Sequence, residues 1–282
     1  MATFYNQATL SYGGKVTNSN VTTGEILEVV DMSKISISAN YGADDSVAYA
    51  LSIVNNGNSA ISDLTVTDDL GAYTVGANTV YPLEYVAGSL KYYVNGIEAT
   101  TPAVTAGPPL TISGISIPSG SNAMLVYEAK TNEYANLAIG SSITNTATAV
   151  FGNDTLTSTA TVSVGEETTL TISKSICPAT VNDNGELTYT FVIQNSGNTP
   201  ATVDSGVIIS DTFNPILNPI SVTFNGEAWT ENVNYTYSTT TGEFVTADGS
   251  VTVPAATYTQ DAETGVITLT PGVSVLTVTG TV

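Results

Sequence analysis

Tyr49-Ala50-Leu51-Ser52-Ile53-Val54-Asn55-Asn56-Gly57-Asn58 and Tyr189-Thr190-Phe191-Val192-Ile193-Gln194-Asn195-Ser196-Gly197-Asn198 are one segment written twice. In each, bulky apolar residues recur at every second position and run into an Asn/Gly turn. That period is the signature of a strand with one buried face. The same interval separates Lys34 from Lys174. Val66-Thr67-Asp68 is echoed by Ile209-Ser210-Asp211 after a short insertion, and Val94-Asn95-Gly96 by Phe224-Asn225-Gly226. Repetition this long means two copies of one domain. Short strands punctuated by Asn-Gly, Asp-Gly and Pro-Gly turns make each copy an antiparallel β-sandwich, so the expected class is all-β, with two tandem sandwiches and no helix of useful length.

A second repeat lies between these copies. Asn145 opens the string NTATAVFGNDTLTSTATVSVGE, and Asn6 opens NQATLSYGGKVTNSNVTTGE. Both begin Asn-x-Ala-Thr, reach an aromatic-Gly pair (Phe151-Gly152, Tyr12-Gly13), and return through Ser/Thr alternation to Gly-Glu. Alternation around a Gly turn predicts a β-hairpin. The middle hairpin closes the first sandwich, whereas the N-terminal one has no domain in front of it. The division is therefore 1–24 as a hairpin, 25–165 as the first sandwich and 166–282 as a second sandwich that lacks a closing hairpin.

The chain has 282 residues, 25 acidic side chains, five lysines, no Arg or His, and a net charge of −20. That charge argues against nucleic acid and against anionic membrane surfaces. No run approaches the roughly 20 apolar residues of a membrane span, and no charged segment leading into an apolar run marks a signal peptide. Cys177 is the single cysteine, so no intrachain disulfide forms. Without His, the usual nucleophile–base pairs cannot be assembled. Asp44-Asp45 and Asp68-Asp69 are adjacent carboxylates that point to opposite faces of a strand, which is not a glycosidase arrangement. The expectation is a protein that is not an enzyme and needs no cofactor. Asn182-Asp183-Asn184-Gly185-Glu186 resembles a calcium loop faintly but lacks the full ligand spacing, and reads as a turn. Trp229 reads as core or sheet surface.

On these residues the chain resembles a bacterial and archaeal cell-surface repeat family, catalogued as domain of unknown function eleven. The resemblance rests on Lys34 and Lys174, YALSIVNNGN and YTFVIQNSGN, VTDDL and ISDTF, and Ile143-Thr144-Asn145-Thr146-Ala147-Thr148. It implies immunoglobulin-like sandwiches on exported surface or matrix proteins, and no catalytic activity. The expected location is therefore extracellular, at the cell surface.

An incomplete sandwich exposes an edge, and edges are hazards that proteins cover. The expected cover is the N-terminal hairpin of another copy, with Asn6, Ala8, Leu10, Tyr12 and Val16 as the donor strand and Val275, Thr277, Thr279 and Lys174 as the acceptor edge. The partner is then the chain itself. Head-to-tail donor-strand complementation is a heterologous contact and propagates into a filament. Two other readings stay open for the hairpin: fold-back onto its own second domain, and a tail or added edge strand. For the whole chain, the alternative is a monomeric adhesion module that recognises surface glycans or matrix proteins.

One covalent expectation accompanies the assembly. Immunoglobulin-like surface proteins can join a first-strand Lys to a late-strand Asn beside a carboxylic acid. Burial disfavours both charged forms, leaving a neutral amine and a protonated acid. Lys34, Asn145 and Asp68 fit these roles in the first domain. In the second, Lys174 and Asp211 have no late-strand Asn, and Asn6 of the next subunit takes that place.

Overall fold

The computed structural model describes residues 2–26 and 29–282. Among the described residues the chain is all-β, apart from a single 3-10 turn at Val203–Ser205. The N-terminal segment is a long hairpin. β1 (Ala2–Asn6) pairs antiparallel with β4 (Thr22–Ile26), and β2 (Thr9–Tyr12) pairs with β3 (Lys15–Asn18) across Gly13-Gly14. Leu10 faces Thr17 and Tyr12 faces Lys15, while Asn6 faces Thr22, so the register slips by one residue between the two halves. Where its side chains are described, this hairpin packs against nothing: Phe4, Tyr5, Leu10, Tyr12 and Val16 are all exposed, Leu10 at 60%. The alternation of residues 6–12 predicts a strand with one buried face, and that face is solvated in the single chain.

The first sandwich consists of β5 (Val30–Ser36), β6 (Asn40–Tyr41), β7 (Ser46–Asn55), β8 (Ile61–Asp68), β9 (Tyr73–Val75), β10 (Asn78–Val80), β11 (Leu83–Tyr85), β12 (Lys91–Val94), β13 (Ile97–Glu98), β14 (Ala103–Thr105), β15 (Leu110–Ile117), β16 (Ser121–Thr131), β17 (Ser142–Phe151) and β18 (Asp154–Val164). One sheet has the order β13-β12-β16-β7-β5, with β11 also on β16; the other has β14-β15-β8-β17-β18-β6. The last pairing, β18 with β6, is parallel. Period-two alternation sends Val47, Tyr49, Leu51 and Ile53 of β7 inward against Leu64, Val66, Ile112 and Leu125. The β12–β13 turn needs two residues of positive φ, and Asn95 (50°) and Gly96 (77°) supply them, the two-residue geometry that matches strand twist.

The second sandwich consists of β19 (Leu170–Cys177), β20 (Glu186–Asn195), β21 (Ser210–Thr212), β22 (Ile220–Phe224), β23 (Glu227–Ala228), β24 (Tyr235–Tyr237), β25 (Glu243–Thr246), β26 (Thr257–Gln260), β27 (Ile267–Thr270) and β28 (Gly272–Thr281). Its large sheet, β19-β20-β28-β22-β23, repeats β5-β7-β16-β12-β13 strand for strand. Its other sheet, β21-β25-β24, repeats β8-β15-β14 and stops there. Among the described residues, no strand lies where β17 and β18 lie in the first sandwich. β26 and β27 form a separate hairpin with no counterpart in the first domain.

The acceptor edge expected at Val275, Thr277 and Thr279 is corrected by this topology. Those residues lie on β28, in the middle of the sheet, where β20 and β22 occupy both of its hydrogen-bonding sides. The expectation followed chain order, as if a closing hairpin pairs with the strand it follows. In the first domain, residues 132–141 instead carry the chain from β16 across to the opposite sheet, and β17 pairs with β8. The matching open edge is β21. Asn182–Glu186 forms a turn in which Gly185 N donates to Asn182 O (2.8 Å), and Trp229 stacks on Phe224 with ring centroids 4.8 Å apart.

Candidate functional site: a buried lysine cluster and its open copy

In the first domain, β5 turns Val30, Met32 and Lys34 inward in succession, so the repeat of the strand itself drives a lysine into the core. Its position is pinned by the backbone: Lys34 N donates to Ser158 Oγ of β18 (2.9 Å). The ammonium has one partner, Asp68 Oδ2 at 2.6 Å, and neither side chain is accessible beyond 1%. Asp68 closes β8 and is flanked by Leu110 of β15 and Ala147 of β17. Its Oδ1 accepts from Leu70 N (3.0 Å), and its Oδ2 also accepts from the Tyr127 hydroxyl. Tyr127 stacks on Tyr49 (5.7 Å between centroids), and Lys34 Nζ lies 4.9 Å from the centre of the Tyr49 ring.

Asn145 completes the cluster. It stands on β17 two residues before Ala147, wholly buried, with its carboxamide beside the Tyr49 and Tyr127 hydroxyls. Neither its nitrogen nor its oxygen is in hydrogen-bond geometry with any partner, and neither is the Tyr49 hydroxyl. Each such orphan costs about 1–3 kcal/mol, and buried polar groups are otherwise almost always paired. Burial pushes the Lys34 amine down from its usual range despite the opposing pull of Asp68. Burial pushes the Tyr127 hydroxyl well up, and the Asp68 carboxylate adds to it. Burial likewise raises Tyr49. A desolvated amine, a carboxyl group within proton-transfer distance and an unpaired carboxamide are thus gathered in a space closed to water.

The second domain repeats half of this. Lys174 of β19 pairs with Asp211 of β21, and its amine sits over Tyr189 (4.3 Å), Phe191 (5.3 Å) and Phe213 (5.4 Å). Tyr189 occupies the place of Tyr49, while Val278 stands opposite it, as Tyr127 stands opposite Tyr49. Where Lys34 and Asp68 are sealed, the Lys174 side chain is 39% exposed. Further along β19, Ile172 is 56% exposed, whereas Met32 at the same point of β5 is buried. No Asn side chain faces Lys174 among the described residues. Asn6 lies on the N-terminal hairpin and, like the rest of residues 4–23, is exposed.

Lys34, Asp68 and Asn145 are thus brought together; Lys174 and Asp211 are brought together without an Asn. The reading from sequence missed Tyr49, Tyr127 and β21. Tyr49 was visible as the first residue of the repeated segment, and β21 as the Ile-Ser-Asp echo of Val-Thr-Asp. Tyr127 had no signal, because Val278 replaces it in the second copy.

No protein-family model matches the chain, and no curated protein matches it. Among solved structures, the fold is similar to a chain named BspA_C_WT (11% identity, TM-score 0.36, covering 89% of this chain and 91% of that one). It is similar also to BcpA, the major pilin subunit of Bacillus cereus (13%, 0.36, 96% and 73%). A third is the full-length major pilin SpaD of Corynebacterium diphtheriae (14%, 0.36, 85% of this chain), of which the chain spans 58%.

Proposed function

We propose that this protein is a structural subunit of an extracellular filament, a member of the surface-repeat family it resembles, and polymerises head to tail. The N-terminal hairpin of one subunit seats against β21 and under β19 of the next, as β17–β18 seats against β8 and under β5 in the first domain. One observation carries this reading. β17 buries Ile143, Asn145, Ala147 and Ala149, and the free hairpin presents Asn6, Ala8 and Leu10 in the order of the last three while packing against nothing. The second domain presents the complementary vacancy, an unpaired β21 edge beside an uncovered β19 face.

The lysine clusters fit covalent cross-links. In the first domain, Lys34 passes a proton to Asp68, and the neutral Nζ attacks Cγ of Asn145. The Nζ–Cγ bond forms and the Cγ–Nδ2 bond breaks. The departing nitrogen takes one proton from Asp68 and one from the attacking amine, and leaves as ammonium, so that the chain is lighter by one ammonia. Asp68 acts as a shuttle, unchanged at the end. Tyr127, donating to Asp68, holds the carboxyl in place. The unpaired carboxamide of Asn145 is the reactant of this step, which accounts for its lack of partners. In the second domain the same chemistry joins Lys174 to Asn6 of the neighbour, once the seated hairpin has excluded water.

Deleting residues 1–24 tests the assembly. The truncated protein is expected to stay folded and form no fibres, and a peptide of residues 1–24 is expected to bind it. Fibres indistinguishable from those of the full chain would overturn the reading. Intact mass tests the chemistry, since each bond removes about 17 Da as ammonia. The full chain is expected to lose one such unit per subunit before assembly, and denatured fibres to run as covalent ladders.

A further inference from the structure

Two hairpins that the domain repeat does not explain meet each other. β9–β10 protrudes from the first domain, and the second domain has only the Phe213–Pro219 loop at the corresponding place. β26–β27 protrudes from the second domain, and the first has only the Pro118–Gly120 turn between β15 and β16. Each is an insertion in one copy alone, and they are clasped together.

The clasp is both polar and steric. Asn78 Nδ2 donates to Glu263 O (2.9 Å), and Gln260 Nε2 to the Tyr73 hydroxyl (2.8 Å), which itself donates to Tyr134 O (2.7 Å). Ile267 N donates to Glu133 O (2.8 Å). At the tip, Gly265 (φ +79°) lies so close that a Cβ there would meet Val80 Cγ1 at 3.0 Å and Val75 Cγ2 at 3.2 Å. Beside the linker itself, Asn198 Nδ2 bridges Leu137 O and Gly165 O, both at 2.8 Å. The two domains are thus tied at two separate places, at the hairpins and at the linker.

Relative motion is the default for tandem domains unless such an interface forbids it. We infer that the β9–β10/β26–β27 clasp locks the two sandwiches of one chain into a single stiff rod. In a filament, the joint between subunits would be the compliant one. There a second domain meets the first domain of the next subunit, and β26–β27 is already engaged with β9–β10 of its own chain. This second half rests on the filament reading; the first does not.

Spin labels at Thr159→Cys and Thr236→Cys, in a Cys177→Ser background, report the angle between the domains. The labelled full-length chain is diluted into excess unlabelled protein, so that only distances within one subunit are read whether or not fibres form. The unaltered clasp is expected to give one narrow distance distribution. Two variants should widen it about twofold, toward the free-hinge behaviour of unclasped domains. Tyr73→Phe/Asn78→Ala/Gln260→Ala removes the side-chain bonds without adding bulk, and Gly265→Leu forces the tips apart. Unchanged widths in variants that remain folded, or a broad distribution in the parent, would overturn the clasp. In micrographs of fibres, bends should concentrate at alternate joints; equal bending at all joints would overturn the filament half while leaving the clasp standing. Absence of fibres would count against the filament reading alone.

Discussion

The two sandwiches are built on the same strand order, yet the same lysine has opposite surroundings in them. Lys34 is sealed between Asp68, Tyr49 and Tyr127, and the strand that carries it is buried along its inner face. Lys174 keeps the carboxylate and the aromatic floor but lies open to solvent, on a strand whose Ile172 and Ile176 are exposed. Two things differ: Val278 stands where Tyr127 stands in the first copy, and, among the described residues, the closing hairpin is missing. β17–β18 supplies the wall and the Asn in the first domain, and among the described residues nothing supplies them in the second. The internal copy therefore acts as a template for what the second domain lacks, down to register. Ala147 lies opposite Asp68 and Thr148 opposite Thr67, and the proposed assembly would by analogy set Ala8 opposite Asp211 and Thr9 opposite Ser210.

The largest effect that would break this comparison is a charge on the seated face. Leu10→Asp places an unpaired carboxylate where Ala149 is buried, and should weaken assembly by about 3–5 kcal/mol, enough to abolish fibres at ordinary concentrations. Ser11→Asp, on the opposite face of the same strand, should leave fibres intact. Electron micrographs of the two variants read the outcome; equal effects would remove the proposed register.

Next in size is the carboxylate partner. In an Asn145→Ala background, where Lys34 remains a free amine, Asp68→Ala leaves it buried without its partner and should cost the first domain about 3–5 kcal/mol. Asp211→Ala breaks a partly solvated pair in the unassembled subunit and should cost about 1 kcal/mol or less. Calorimetry that resolves the two domain transitions would show the first moving far more than the second. If both shift alike, the contrast in burial carries no energetic weight.

The smallest effect is a pH dependence, read in Asn145→Ala so that Lys34 remains a free amine. The Lys34 pKa is lowered in the fold, chiefly by burial. Between that lowered value and the ordinary 10.5, the unfolded chain binds more protons than the native one. Stability must then rise with pH across that window and be constant below it. Above it the sign reverses, because burial raises Tyr41 to about 12, so the unfolded chain releases its phenolic proton first. The first-domain melting temperature should therefore climb and then fall as pH rises; a steady fall through the window would mean that the lysine stays charged.

Much of this contrast was legible before any coordinates. Period-two alternation in residues 49–58 and 189–198 gives β7 and β20, and the shared interval between Lys34, Lys174 and these segments aligns the copies. The pairing partner of the closing hairpin was not legible. Strand order within a sandwich is set by where the connection crosses between sheets, and residues 132–141 carry no composition that says they cross. The acceptor edge was accordingly placed on β28, when the template places it on β21. The exposure of the N-terminal hairpin was hidden for a related reason. Alternation records that a face is built to be buried, and says nothing of whether the burying partner belongs to the same chain.

The central claim is tested most directly by a disulfide across the proposed junction. In a Cys177→Ser background, Thr9→Cys and Ser210→Cys stand where Thr148 and Thr67 are paired in the first domain. With Asn6→Ala added to exclude the Lys174–Asn6 amide, oxidised fibres of this double variant should run on a non-reducing denaturing gel as a ladder of multimers that collapses to monomer on reduction. In the same background, Thr9→Cys paired with Ser221→Cys on the opposite sheet should give none. A monomer band from the Thr9/Ser210 pair, or equal ladders from both pairs, would contradict donor-strand assembly.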